Sequence, residues 1–320
     1  MTSHVGKYQL IRQLAGGIVE DYLAKAAGPR GFEKTLVLEC LRPDMAEDVA
    51  FVEMFLDEVR SAARLTHPHI AQVFDFGEAD GTYFLAREYI DGPSLSRLIK
   101  RAAAQRMLLP VTLCARIISQ ACEGLAFAHG LTHPKTNQPL ELIHRCIRPY
   151  NILLSRQGTA KVVDFGIDKL RSQWSPRYHL PIEGQFAYMP LEELRGWKVD
   201  RRVDVYALGV VLYELLTARK PFESTSDSGV AQAILSEPMV PAERHRPDLP
   251  GALRAILVRA LAKEREQRYP DCHAFQADLE AFILSEGEPV TPRQVAWLIQ
   301  QVTASDDPAV IAPAAPNSGR

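Results

Sequence analysis

The chain has 320 residues, 47% of them hydrophobic and 24% charged, with a formal net charge of −2. That length holds one large or two medium domains, and so near-neutral a balance excludes bulk electrostatic attachment to nucleic acid or to an anionic membrane. Five scattered cysteines (Cys40, Cys114, Cys122, Cys146 and Cys272) form no CxxC pair, so neither a disulfide framework nor a zinc site is expected, and a reducing cytoplasm fits best.

Residues 1–8 contain no apolar run, so no signal peptide is expected, and no stretch approaches the roughly 20 apolar residues that span a bilayer. Residues 8–25 read as two strands around a glycine turn, and 36–41 as a short apolar strand. Residues 49–65 carry Phe51, Phe55, Leu56, Val59, Ala62 and Ala63 at helical spacing. Runs at 71–76 and 82–89 alternate like strands and flank Asp80-Gly81, a hairpin signal. After the turn-rich Asp91-Gly92-Pro93 the character changes. Residues 95–106, 113–129, 202–216, 230–235, 251–263 and 274–284 read as helices, interrupted by short strands at 152–154 and 161–163. Residues 291–302 predict one more short helix. The Ala/Pro/Ser-rich stretch 304–320 predicts a disordered tail.

Several motifs stand in a fixed order along this pattern. They are the run from Phe51 to Glu58, Leu65 to Ile70, His144-Arg145, Asn151 to Leu154, Asp164-Phe165-Gly166, Asp204 to Gly209, and Pro221-Phe222. In type, order and spacing they resemble the protein kinase signature set. The resemblance covers residues 8–285 and points to bacterial Hanks-type serine/threonine kinases, with wording in several segments similar to that of myxobacterial members. It implies an α+β, bilobal protein-kinase-like fold: a small β-rich N-lobe at 8–90, containing the helix kinases call αC, and a larger, mainly helical C-lobe at 91–285. A C-terminal extension with a short helix at 286–303 and the tail at 304–320 complete the expected organisation.

Against that family several positions depart. Where the catalytic loop carries the aspartate that accepts the substrate's hydroxyl proton, this chain has Cys146. A thiol is a weak acceptor, and its thiolate needs an electropositive site. The next polar position of the loop is Arg148, where relatives carry Lys or Ser. The strand lysine that contacts the nucleotide phosphates is replaced by Glu39 in Leu36-Val37-Leu38-Glu39, an anion where a cation belongs. Lys34 lies an odd number of positions away, which puts it on the other face of a strand. The glycine loop, Leu14 to Tyr22, is one residue short, with Val19 at its third small position and Asp21 where a valine caps the adenine. Val37 adds bulk at the pocket roof, and Arg87 occupies the gatekeeper position. We expect Arg87 to join Glu39 and Glu58, the αC glutamate, in a charge cluster, since a guanidinium can bind two carboxylates at once.

Other positions match. Asn151 and Asp164 correspond to the metal-binding pair of active relatives, here expected to be retained but unused, since Mg²⁺ in kinases is held largely through substrate phosphates. His144 and Phe165 correspond to packing residues, Glu192 and Arg268 to a buried ion pair, and Asp204 to the residue that holds the catalytic-loop backbone. Ser172, Ser175 and Tyr178 read as solvated loop residues; the alternative is phosphorylation by another kinase, with Arg145 as the receiving charge, and Gln185 stands where serine/threonine kinases carry a threonine.

The departures imply a catalytically inactive pseudokinase that scaffolds or allosterically regulates a protein partner, such as an active kinase or another signalling protein. On that reading the chain is not an enzyme and takes no cofactor. The alternatives are a nucleotide-binding sensor, or a weak or atypical serine/threonine kinase that uses ATP and Mg²⁺. No nucleic acid and no membrane span enter any of these readings.

Overall fold

In the N-terminal part of the chain apolar residues fall on alternate positions, and such runs satisfy their backbone groups by pairing into a sheet with one face buried. The computed structural model describes residues 4–17, 19–165, 184–287 and 289–304. Gly166, Ser172, Ser175, Tyr178 and, but for Ala304, the expected tail lie outside the described residues. The described residues divide into two compact units: one of residues up to Asp91 together with Val163, Asp164 and Phe165, the other of residues from Gly92 to Val162 and from 184 to 304.

The first unit is an antiparallel sheet of six strands, β1 (His4–Val5), β2 (Tyr8–Ala15), β3 (Val19–Ala27), β4 (Glu33–Leu41), β5 (Val73–Ala79) and β6 (Thr82–Glu88), in the order β1-β2-β3-β4-β6-β5. The period of two sorts its residues cleanly. Leu36, Leu38 and Cys40 of β4 pack with Ala24, Phe84 and Ala86 in one cluster. On the other face Val19, Leu41 and Leu85 pack against Phe51, Val52, Phe55 and Val59 of helix α2 (Val49–Ala62). Asp48 caps that helix, accepting from the amides of Ala50 and Phe51 at 3.1 and 3.3 Å. The β5–β6 hairpin turns on Asp80 and Gly81, with φ of 52° and 74°. Two consecutive left-handed residues are what a two-residue hairpin loop requires, and Asp-Gly supplies them at low cost. A four-residue helix, α1 (Pro43–Ala46), precedes α2. The sequence pattern misses it because four residues show no helical period.

The second unit is helical. It contains α3 (Leu95–Ala104), α4 (Val111–His129), α5 (Leu191–Leu194), α6 (Arg202–Thr217), α7 (Asp227–Ser236), α8 (Gly251–Ala260), α9 (Cys272–Ser285) and α10 (Pro292–Thr303), with a two-stranded ladder of β7 (Ile152–Leu154) and β8 (Ala160–Val162). Helix α6 is buried nearly all round, the mark of a helix at the centre of a core. Helix α4 is long and apolar enough to cross a membrane by length and composition, yet 61% of its apolar window is buried inside the protein. A buried core helix passes the same test of composition.

The C-terminal helix α10 is fastened to this unit. Thr291 and Gln294 form a capping box at its start, and Gln105 donates to the Val302 carbonyl at 2.9 Å near its end. Gly158 has φ of 86°, and a Cβ there would lie 1.9 Å from the Pro292 carbonyl oxygen. Only glycine allows that approach.

Candidate active site

In the second unit the catalytic-loop segment is organised by Asp204. Its place in the first turn of α6 buries the carboxylate completely. One oxygen accepts from the His144 amide at 2.9 Å and the other from the Arg145 amide at 2.8 Å. His129, at the end of α4, meets Asp204 at 2.8 Å. Burial alone would push the His129 imidazole down, but the hydrogen bond to Asp204 and the nearby Cys272 hold it up at about 10. Burial likewise works to raise the Asp204 carboxyl, and His129 with the two amides holds it below its ordinary value. The two groups are therefore a charged, buried pair at neutral pH.

This pair fixes an irregular stretch of backbone. Arg145 takes φ of 65°, a left-handed conformation that a non-glycine residue keeps only when its surroundings impose it. The two amides on Asp204 are such an imposition. Cys146 follows, 6% exposed, its amide donating to His144 Nδ1 at 3.3 Å. Asn151 is fully buried and donates from Nδ2 to the Cys146 carbonyl at 3.0 Å. The loop is thus held in one conformation by backbone contacts that do not depend on the side chain at 146. Arg148 stacks 5.8 Å from the Tyr150 ring.

Further along, Arg268 makes two parallel hydrogen bonds to Glu192, at 2.6 and 2.9 Å. It also donates to the carbonyls of Ala262 and Lys263 and lies 4.9 Å from the Tyr206 ring. The neighbouring Glu193 is pushed up to about 7, by burial first and then by the charge of Asp204, with Arg145 opposing. Tyr188 donates to Glu214 at 2.5 Å, and burial raises the Glu214 carboxyl. The Tyr188–Glu214 contact is not visible in the sequence, since no spacing rule connects its elements.

In the first unit the register Val37↔Arg87 and Glu39↔Leu85 places Val37, Glu39 and Arg87 on one face of the sheet, and Asp21↔Glu39 adds Asp21 to it. Arg87 is 7% exposed. Its Nε donates to Glu39, and its Nη2 lies 3.7 Å from Asp21 and 3.6 Å from Asp164. Burial alone would lower its pKa, but Glu39, Asp164 and Asp21 together hold it above the ordinary value. The sequence suggests Glu58 as the second carboxylate at this guanidinium; the partners found within 4 Å among the described residues are Glu39, Asp21 and Asp164. Glu58 lies partly buried on α2. Asp164 has φ of 64°, and Phe165 beside it is buried. Lys34 sits on the other strand face and rests 3.4 Å above the Phe74 ring.

The order of these parts, an antiparallel sheet with one long helix followed by a helical unit whose loop is held by Asp204, is matched by a family. Residues 33–279 match the protein kinase domain family. The chain belongs to it. It is 42% identical over 279 residues to the tyrosine-protein kinase MasK of Myxococcus xanthus, covering 87% of this chain and 43% of that one. It is 33% identical over 276 residues to the serine/threonine-protein kinase PrkC of Bacillus subtilis, covering 86% of this chain and 40% of that one. Its fold matches the crystal structure of the Mycobacterium tuberculosis PknI kinase domain with a TM-score of 0.64 and 29% identity, over 88% of this chain and 98% of that one. The chain therefore spans less than half the length of these curated relatives.

These relatives correct two expectations. The absence of enzyme activity, inferred from Cys146 and Glu39, is overturned by relatives that are named protein kinases over most of this chain's length. The expectation of no cofactor falls with it, since the kinase reaction consumes ATP with Mg²⁺. The altered pocket residues Asp21, Val37 and Arg87, read as excluding a nucleotide, need a different account. Asp21 is a partner of a buried guanidinium, so it is not a lone carboxylate facing an adenine.

The residues present can be tested against Mg²⁺ directly. Three carboxylates, Asp21, Glu39 and Asp164, face one guanidinium, which leaves a formal excess of two negative charges. Among the described residues no three His, Cys, Asp or Glu side chains are placed to hold an ion by themselves. That combination fits a cation that arrives with ligands of its own, as Mg²⁺ does with nucleotide phosphates.

Proposed function

We propose that this chain is an atypical, slow protein kinase domain that transfers a phosphoryl group from ATP, with Mg²⁺, to a hydroxyl of a protein. The observation that supports it most is the pairing of a buried cation, Arg87, with Asp164, the residue that matches the family's metal-binding aspartate. A positive charge beside that aspartate is what the family's strand lysine supplies, and the chain supplies it from another strand.

Phosphoryl transfer asks little covalent chemistry of the protein, and most of its catalysis is positioning and charge stabilisation. Asn151 and Asp164 match the positions that hold the metal. The backbone of the loop around Cys146 keeps its form through Asp204. The missing part is the base. With Cys146 in place of a carboxylate, the substrate's hydroxyl proton passes to water as its oxygen bonds to phosphorus and ADP departs. Loss of a positioned base lowers rates by about 10²–10⁴, so turnover well below the family's usual range of about 1–100 per second is expected.

The test is incubation of the 320-residue chain with γ-labelled ATP and Mg²⁺, followed by identification of the phosphorylated amino acid. Slow, Mg²⁺-dependent label on serine, threonine or tyrosine supports the reading. No label in the wild type, with label appearing only in an active control kinase, counts against it.

A further inference from the structure

Position 39 carries an anion where relatives carry a lysine, position 87 carries a cation, and the two meet in a defined geometry. On the shared face of β4 and β6, Arg87 pairs in register with Val37, and Glu39 with Leu85. Arg87 and Glu39 are therefore diagonal neighbours, at a spacing that long side chains bridge. Glu39 is 1% exposed. A carboxylate buried to that degree needs a charged partner, and the Nε hydrogen bond from Arg87 provides one. That bond also orients the guanidinium, because its plane and five N–H groups are rigid. With Nε committed to Glu39, Nη2 is carried to within 4 Å of both Asp21 and Asp164. Nη1 is buried and has no hydrogen-bond partner among the described residues.

An unpartnered, buried guanidinium nitrogen is costly, and a group left so in a folded protein calls for a partner from outside the chain or a functional reason. We propose that Arg87 is the phosphate-binding cation of this domain, held in place by Glu39, and that Nη1 takes an oxygen of a nucleoside triphosphate. The inference rests on the kinase reading above. It turns two apparent defects into one device: Glu39 is the positioning residue, and Arg87 does from β6 what a lysine on β4 does in relatives. A guanidinium suits the task, since it binds phosphate oxygens in a planar, directional way. The excess negative charge of Asp21, Glu39 and Asp164 predicts that the triphosphate binds with its divalent cation and poorly without it. Lys34 offers no substitute, being seated over Phe74 on the opposite face.

The experiment is a thermal-shift and calorimetric titration of the 320-residue chain with Mg²⁺·ATP and with adenosine, for the wild type, Arg87→Lys, Arg87→Met and Glu39→Gln. Adenosine lacks the phosphates, so the ratio of the two affinities isolates the contact in question, and a merely structural role of Arg87 would weaken both ligands alike. We expect the wild type to prefer Mg²⁺·ATP. Arg87→Met should lose about 10- to 100-fold of that preference, the worth of one charged hydrogen bond, with adenosine binding unchanged. Glu39→Gln should lose part of the preference by releasing the guanidinium, and Arg87→Lys should keep a measurable part. If the wild type prefers Mg²⁺·ATP and both Arg87→Met and Glu39→Gln keep the full preference, the assignment to Arg87 is wrong and the kinase reading stands. If the wild type binds no Mg²⁺·ATP, the kinase reading itself fails. Should Arg87→Met not fold, Glu39→Gln and Arg87→Lys carry the same comparison.

Discussion

At the scale of single residues, the question is what a substituted position still does. Cys146 stands where a base belongs, yet the loop around it is held by the two amides on Asp204 and by Asn151 donating to the Cys146 carbonyl. None of these contacts uses the side chain at 146. Restoring the carboxylate should therefore restore function without rebuilding the loop. Cys146→Asp is expected to raise the rate of phosphoryl transfer by about 10²–10⁴, the usual worth of a positioned base, in a single-turnover assay. An unchanged rate would mean that another group already serves as base. Much of this was legible in the sequence. Cys146 and Glu39 are visible as departures because their neighbours match the family closely, and Arg87 as Glu39's partner follows from opposite charge on paired strands. The approach of Asp164 to Arg87 was not legible. Nothing in local spacing carries a residue beyond β8 to the face shared by β4 and β6, and only the folded chain shows it. Taken singly each altered residue reads as a defect, whereas Asp21, Glu39 and Arg87 offset one another in charge.

At the scale of elements, two buried ion pairs tie the second unit together. Arg268, just before α9, clamps Glu192 in α5 through two hydrogen bonds. Removing one partner leaves a buried charge unmatched, which costs about 3–5 kcal/mol. Arg268→Met is expected to lower the melting temperature by many degrees, and the double variant Arg268→Met/Glu192→Met to recover part of the loss. Equal melting of Arg268→Met and wild type would remove the pair from the stability account. The second pair, His129 with Asp204, joins α4 to α6 and carries a pH signature. The imidazole is raised from its ordinary value of about 6.5 to about 10. Its contribution is complete below the unfolded value and fades as pH rises from there through about 10. The Asp204 carboxyl is lowered, so its contribution is complete above the ordinary carboxylate range and is lost as pH falls from there through its lowered folded value. Wild type should therefore lose stability between roughly pH 6.5 and 10 relative to His129→Gln, measured by melting at a series of pH values. Parallel curves would contradict a charged His129. The helices themselves were readable from their apolar period, and most were placed within a few residues. The short α1 and α5 were not, because four-residue helices show too little pattern.

At the scale of the whole molecule, the chain is a protein kinase domain whose two units each keep the architecture. The parts that survive are those that fold the protein: the buried face of the sheet against α2, the core helix α6, and the Asp204 clamp on the loop. A few side chains differ from the family pattern, and beside Asp164 the structure places a cation, Arg87 of β6, to which we assign the compensating role. The measurement that tests this account most directly is a single-turnover phosphate transfer from Mg²⁺·ATP by the wild type beside Asp164→Asn, with transferred phosphate counted on protein over hours. The account predicts slow transfer by the wild type, dependent on Mg²⁺, and none by Asp164→Asn. Equal transfer by the two proteins, or none by either at saturating Mg²⁺·ATP, would contradict it.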